Sequence, residues 1–363
     1  MSQYTIPCKG IVAYSEHDWK LEDLLTREPE EDEFLIEVIA TGDCHTDITG
    51  YGGIYPRVLG HEGAGRVLRV ANDKVGESFK PGDLVILSAA SCQACHYCRT
   101  GHPAYCSNHA AVTLQANDPN FVLASDQSKV IGGGYFGQST FASPTPVKAS
   151  CASNITKLIK NEEKLKLYAP LGCRIMTGAG AITHVGNCQP DDVVGVVGLG
   201  GVGLAGIAAA KHRGVKTIIA ADLLPSRIEL AKIFAGCSEE SWLRGYAIGF
   251  ESLTPEGLGC SHILDTSPSV AVLSACMEGL QKNGTLLQVG VKPVGAKLEL
   301  DLLMHMVNGR RLCGVIEGDR DPAEALPDLV QWCNGAKTAY CREFWDAREA
   351  MEKGEVIKGV LVW

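Results

Sequence analysis

Two hydrophobic grammars divide the chain. Up to about residue 170, apolar residues come in short runs broken by Gly and Pro. Examples are Lys9 to Tyr14 and Phe34-Leu-Ile-Glu-Val-Ile-Ala, which ends in Thr41-Gly42. Short runs so punctuated are the habit of irregular all-β folds. Between about 170 and 316 the pattern changes. Val193-Val-Gly-Val-Val is an unbroken apolar run, and a helical segment follows from Val202 to about His212. Thr217-Ile-Ile-Ala-Ala is a second run, followed by a helix from Pro225 to Ala235, with Pro at its start and Gly236 at its end. His262-Ile-Leu, Val270 to Leu280 and Thr285-Leu-Leu-Gln-Val repeat the alternation. Strands buried on both faces read as continuous apolar runs, so this half predicts a parallel sheet flanked by helices. From Asn308 onward the pattern is mixed and too short for a domain of its own, so this tail is expected to return to the first domain.

Composition narrows the classes. A chain of 363 residues accommodates two average domains. Lys and Arg number 33 against 42 Asp and Glu, a formal charge of −9, which argues against a nucleic-acid partner. No apolar run reaches the roughly 18 residues of a membrane span, and the start lacks a long apolar segment for export, so a cytoplasmic protein is expected. The 15 cysteines are an odd number, unsuited to a disulfide framework, and in a cytosolic chain clustered cysteines more often bind metal or do chemistry. Most are scattered singly through apolar stretches and are expected to pack as inert small hydrophobes.

Gly198-Leu-Gly-Gly-Val-Gly203 places glycines at 198, 200 and 203 directly after a strand and at the start of a helix, with Asp222 at the end of the next strand. The first Gly permits the tight turn, the second lets backbone approach a pyrophosphate, and the third lets helix pack on strand. The helix start offers unpaired N–H groups to phosphate. A carboxylate at Asp222 would accept from the adenosine ribose hydroxyls and repel a 2′-phosphate, favouring NAD over NADP.

Cys92, Cys95, Cys98 and Cys106 place four thiols in one loop, matching the closed tetrahedral set of a structural zinc. A redox Cys-x-x-Cys is the rival, but no thioredoxin-like context surrounds it. His96, His102 and His109 nearby read as exposed loop histidines. A second donor set is scattered: Cys44 in Gly42-Asp-Cys-His-Thr-Asp47, His61 in Gly60-His-Glu-Gly63, and Cys173 in Leu171-Gly-Cys. Two thiolates and an imidazole with one open position form a catalytic zinc arrangement, but spacing alone does not join the three.

Taken in order, Cys44-His-Thr-Asp47, Gly60-His-Glu-Gly-Ala-Gly65, the four-cysteine loop, Leu171-Gly-Cys173 with Thr177-Gly-Ala-Gly, and Gly198 to Gly203 resemble the zinc-dependent medium-chain alcohol dehydrogenases over nearly the whole chain. The chain looks nearest to their aryl (benzyl-type) branch. The resemblance implies an α/β protein with a GroES-like β-barrel catalytic domain (1–173 and 317–363) and a Rossmann parallel-sheet nucleotide domain (174–316). It implies two zinc ions per chain, NAD(H), a small alcohol or aldehyde substrate, and a homodimer or homotetramer. Position by position, it implies catalytic zinc on Cys44, His61 and Cys173, with Glu62 able to enter the shell transiently. Asp47 falls at the carboxylate that orients the ligand histidine, and Thr46 at the hydroxyl that begins the proton relay. His45 and Lys358 fall at pyrophosphate contacts and Arg227 near the adenosine ribose. Val202 falls against the dinucleotide, and Gly201, Thr177 and Val289 complete the cofactor set.

The sequence departs from that pattern in places. Thr49 stands where many members end the relay with His, so the proton must reach water or another group. Asp43 replaces a usual apolar residue, and the stretch from Gly335 to Trp345, before Ala347, is shortened. Tyr135 and Phe136 fall at expected pocket positions, with the small Ser88 where an aromatic often stands, which suggests a bulky or aryl substrate. Two other activities share this scaffold. One is a zinc Lewis-acid isomerase or cyclase without net redox, which would show no cofactor turnover. The other is an S-(hydroxymethyl)glutathione-type dehydrogenase. A non-enzymatic nucleotide sensor would lack the Cys44/His61/Cys173 metal.

Overall fold

The computed structural model describes residues 3–49, 53–159, 161–235, 242–244, 250–333 and 360–363, with backbone alone for 48–49, 233–235, 242–244 and 251. It comprises two compact units, Met1–Cys173 with Arg320–Trp363, and Arg174–Asp319.

The first unit is β-rich, as its broken apolar runs predict. It begins with β1 (Tyr4–Ala13), β2 (Trp19–Arg27), β3 (Glu33–Gly42), β4 (Arg57–Val58), β5 (Gly63–Val70) and β6 (Leu84–Leu87). After the four-cysteine loop come β7 (Asp118–Leu123), β8 (Asp126–Gly133), β9 (Ala142–Ser143), β10 (Thr145–Lys148) and β11 (Ala152–Asn154). The sheet β2-β7-β8-β4-β1 closes on itself because β1 pairs with both β2 and β4, and closure removes exposed edges. Its interior is filled by Val12, Leu24, Val58, Phe121, Ile131 and Phe141. A second sheet runs β10-β3-β5-β6-β11 over Phe34, Ile36, Val67, Val85 and Leu87. The terminal strand Val360–Val362 pairs antiparallel with the end of β3, immediately before Cys44.

The second unit holds β12 (Val193–Val197), β13 (Thr217–Asp222), β14 (Trp242–Arg244), β15 (Cys260–Asp265), β16 (Leu280–Gln288) and β17 (Arg311–Gly314). Every pairing in its order, β14-β13-β12-β15-β16-β17, is parallel. Helices Gly201–His212, Pro225–Ala235 and Val270–Glu278 connect strands where the alternation predicts them. The start of the tail, within the expected bounds 174–316, belongs to this sheet. The free edge of β16 offers unpaired backbone groups, and β17 takes them, so residues past Asn308 first extend the parallel sheet. The turn Glu317–Asp319 then packs on helix Arg174–Gly180 so closely that a Cβ on Gly180 would lie 2.6 Å from the Gly318 Cα. The chain therefore leaves this unit at Arg320, later than the expected 317. The shortened stretch from Gly335 to Trp345, and Ala347, lie outside the described residues. Among the described residues no helix is long and apolar enough to cross a membrane.

Candidate functional site

The chain leaves β3 at Gly42, turns through Asp43 and Cys44, and enters the one-turn helix His45–Thr49. Asp47 organises this corner. Its Oδ2 accepts the Cys44 backbone N–H at 3.0 Å, and its Oδ1 accepts the Gly60 N–H at 3.0 Å and sits 2.9 Å from His61 Nδ1. One buried carboxylate thus binds the Cys44 turn to the His61 loop. It fixes the proton of the neutral ring on Nδ1 and leaves the Nε2 lone pair for a metal. Nε2 lies 3.4 Å from Cys173 Sγ. Cys173 can come this close because Gly172 lacks a side chain: a Cβ there would lie 1.7 Å from the Leu87 carbonyl oxygen at the end of β6.

The donor atoms of Cys44, His61, Glu62 and Cys173 all lie within 4.8 Å of one another. A tetrahedral zinc with bonds of about 2.1–2.3 Å has edges of roughly 3.4–3.8 Å, so the cluster fits that ion. The charges fit as well. Burial alone would push His61 down, but the negative charges of Asp47 and Cys44 and their hydrogen bonds outweigh it and hold the ring well above the usual histidine value. A buried pocket of thiols and carboxylates with that field calls for a cation.

Three supporting residues carry no signal in the sequence for this role. Gln138 is fully buried; its Nε2 donates to the carbonyls of His61 (2.8 Å) and Ser88 (2.6 Å), and its Oε1 accepts the Gly63 N–H at 3.1 Å. Tyr135 and Phe136, expected at the pocket, pack on the His61 ring. Phe136 stacks at 4.3 Å between centroids and Tyr135 meets it edge-on at 5.6 Å. The Tyr135 hydroxyl donates to the Thr46 carbonyl at 3.0 Å. Ser88 is fully buried. Asp43 is also buried. His45 points to solvent, and Thr46 Oγ1 lies 3.8 Å from Cys44 Sγ. The Thr49 side chain and Lys358 lie outside the described residues.

The four-cysteine loop wraps the one-turn helix His96–Arg99. Cys98 Sγ lies 3.5 Å from Cys95 Sγ and 4.0 Å from Cys92 Sγ, bracketing the edge of a zinc–thiolate tetrahedron. Backbone N–H groups of Cys92 and Asn108 donate to Cys106 Sγ, and that of Ser107 to Cys95 Sγ, each at 3.4 Å. Such donors lower the Cys95 thiol to about 5, while burial pushes Cys98 up to about 12. His96 and His102 are exposed, as expected, whereas His109 is half-buried.

In the second unit, β12 runs into Gly198 and helix Gly201–His212. A Cβ on Gly203 would lie 1.9 Å from the Gly198 carbonyl oxygen, so only glycine lets this helix start so close to the turn. A Cβ on Gly200 would meet nothing within 4 Å, which is the open backbone approach a pyrophosphate requires. Asp222 is buried; its Oδ2 accepts the Leu199 N–H at 2.6 Å and its Oδ1 that of Leu224 at 2.8 Å, with Arg227 3.7 Å away. A carboxylate accepts about four bonds, so capacity remains for ribose hydroxyls. Thr177 is buried in helix Arg174–Gly180, Val202 is half-buried in the first turn after the glycine loop, and the Val289 N–H bonds the Asp265 carbonyl at the end of β15. Sequence reading passed over Lys292, whose ammonium reaches Asp265 at the same strand end at 2.6 Å.

Residues 30–155 match the alcohol dehydrogenase GroES-like domain, and residues 201–334 match the zinc-binding dehydrogenase domain. A geraniol dehydrogenase from Castellaniella defragrans is 31% identical over 359 residues, 92% of either chain. An alcohol dehydrogenase zinc-binding domain protein from Burkholderia ambifaria superposes with a TM-score of 0.88 at 30% identity over 98% of both chains. A benzyl alcohol dehydrogenase from Acinetobacter calcoaceticus does so at 0.86, with 28% identity over 99% of both. Such likeness along almost the full length, joined to donors that fit zinc and a turn that fits a dinucleotide, makes the chain a member of the zinc-dependent medium-chain alcohol dehydrogenases, oxidoreductases of alcohols and aldehydes that use NAD(H).

Proposed function

We propose that the first unit is the catalytic domain, the second the NAD-binding domain, and the substrate a bulky or aryl alcohol interconverted with its aldehyde or ketone. The observation that carries this reading is the convergence of Cys44, His61, Glu62 and Cys173 from three remote segments. The relatives named for geraniol and benzyl alcohol support the substrate class. Bound at Cys44, His61 and Cys173, with Glu62 able to enter the shell transiently and the fourth position open, zinc would supply Lewis acidity toward the substrate oxygen and NAD would carry the hydride. Asp47 holds His61 in the tautomer that presents Nε2 to the metal. Tyr135 and Phe136 keep that ring from turning, and Gln138 ties the His61 carbonyl and the Gly63 N–H to the Ser88 carbonyl. The Thr46 hydroxyl takes the alcohol proton and passes it outward. Gly198, Gly200, Gly201 and Gly203 receive the pyrophosphate; His45 and Lys358 stand at positions the family uses for basic contacts to it. Asp222 and Arg227 hold the adenosine ribose, and Thr177, Val202 and Val289 flank the cofactor.

The partner proposed is a second copy of this chain. Helix Leu302–Asn308 exposes Leu302, Leu303, Met306 and Val307 at 57–76% beside β17, the edge strand of its sheet. Among the described residues no strand pairs with the outer edge of β17, an apolar patch beside such an edge invites pairing, and a dimer or tetramer is the expected mass in light scattering. Thiols in two donor sets require a reducing compartment, consistent with the cytoplasm.

The test is NADH absorbance with benzylic, terpenoid and short alkyl alcohols and with S-(hydroxymethyl)glutathione. Turnover is expected to be fastest with the aryl and terpenoid alcohols. Preference for the glutathione adduct would overturn the substrate assignment, and no turnover on the whole panel would favour the Lewis-acid isomerase.

A further inference from the structure

We propose that the second unit carries a third metal site, in which Cys188, Asp192 and His262 bind a divalent zinc ion at the amino-terminal edge of the parallel sheet. One donor atom from each lies within 4.8 Å of the others. A sulfur, a carboxylate oxygen and an imidazole nitrogen together suit zinc, and the half-buried Asp192 and His262 leave a side open for a fourth ligand from water. His262 Nδ1 lies 3.7 Å from Asp192 Oδ2. That is beyond a hydrogen bond but close to the roughly 3.3–3.4 Å edge between nitrogen and oxygen ligands of one tetrahedral zinc.

The surrounding hydrogen bonds hold these donors in place without consuming them. The Cys188 backbone is held at both ends, its N–H by the Ile182 carbonyl at 3.0 Å and its carbonyl by Arg213 Nε at 3.0 Å. Asp192 closes a turn on Gln189, whose N–H donates to Oδ2 at 2.7 Å, which leaves the carboxylate further lone pairs. Ser261 Oγ lies 3.1 Å from His262 Nδ1 but already accepts the Val193 N–H and donates to the Val193 carbonyl. Its single proton is spent there, so Ser261 does not donate to Nδ1, and with the ring protonated on Nε2 the Nδ1 lone pair is available to a metal. Binding would release the Cys188 thiol proton to solvent as the sulfur–zinc bond forms.

Position gives the site its role. Cys188 and Asp192 lie on the turn that enters β12, and His262 lies on β15 opposite Val194. At their far ends these same strands make the dinucleotide turn, where the Thr266 hydroxyl bonds the Val197 and Gly198 carbonyls at 3.0 and 2.9 Å. At about 3.3 Å per residue, the length of β12 keeps this metal well away from the proposed pyrophosphate. It staples the strands that carry the cofactor turn and takes no part in hydride transfer.

Metal analysis of the full-length protein tests this. Wild type equilibrated with micromolar free zinc is expected to hold one ion per chain more than Cys188→Ser and more than His262→Phe. Both variants should keep turnover within about twofold of wild type and lose the zinc-dependent part of their thermal stability. In cobalt-substituted protein, Cys188→Ser should lower the sulfur-to-cobalt charge-transfer absorbance. The His262 variant spares the buried cysteine, so a folding defect of Cys188→Ser would not mask the result. Equal metal content in wild type and His262→Phe overturns the proposal. Because the readout is a difference between proteins, it stands apart from failure of the catalytic assignment, which would lower the count in all of them.

Discussion

The two donor clusters of the first unit use similar ligands and are built in opposite ways. The four thiols at 92–106 come from one loop around a one-turn helix, and three of them are partly exposed. Cys44, His61, Glu62 and Cys173 come from three segments far apart in sequence, and all but Cys173 are buried. Closing a short loop costs little chain entropy, so the first cluster needs little beyond a metal to hold it. The second rests on the ends of β3 and β6, on the Asp47 carboxylate and on the His61 stack, so the fold arranges its donors before any ion arrives. One is a staple that depends on its metal; the other is a framework prepared for one.

That contrast can be broken experimentally. The largest effect is expected from Cys173→Ser. Loss of Lewis acidity worth several kcal/mol should cost on the order of 10³-fold in turnover. One zinc ion should be lost while the thermal midpoint barely moves, and a collapse of the midpoint would show that the framework is not pre-built. Cys98→Ser should do the reverse. Stability should fall by roughly 3 kcal/mol or more in denaturant titration, while the turnover of molecules still folded in the cold stays near wild type. Asp47→Asn removes the charge that orients His61 and is expected to lower metal affinity or kcat about 10–100-fold, read by zinc competition with a chelator. The smallest effect belongs to Gln138→Leu, which strands two carbonyls and one N–H. A loss of about 1–3 kcal/mol in stability with only a few-fold fall in kcat/KM would mark Gln138 as a positioning residue. A fall as deep as that of Cys173→Ser would place it in the chemistry.

The strands and helices of the second unit were legible because parallel strands buried on both faces leave continuous apolar runs, from Val193 to Thr285. The glycine turn was legible because each glycine answers a local steric demand. The tail past Asn308 reads only as mixed in sequence: whether Arg311–Gly314 forms a strand of the sheet depends on an open edge at β16, which no local pattern announces. Tyr135 and Phe136 look like pocket residues in sequence, and only packing shows them against the His61 ring. Cys188 looks like any small core hydrophobe until β15 brings His262 beside it.

The sequence by itself determined the four-thiol loop, the dinucleotide turn and the alternation of strand and helix, because each rests on contacts between residues close along the chain. Residue spacing does not join Cys44, His61 and Cys173 or set Asp47 on the ligand ring, which the family resemblance alone implied; tertiary structure brings them together, and it alone shows that Gln138 ties their loops. Those contacts span from 14 to 112 residues, and their geometry exists only once the sheets fix the ends of strands that know nothing of one another in sequence.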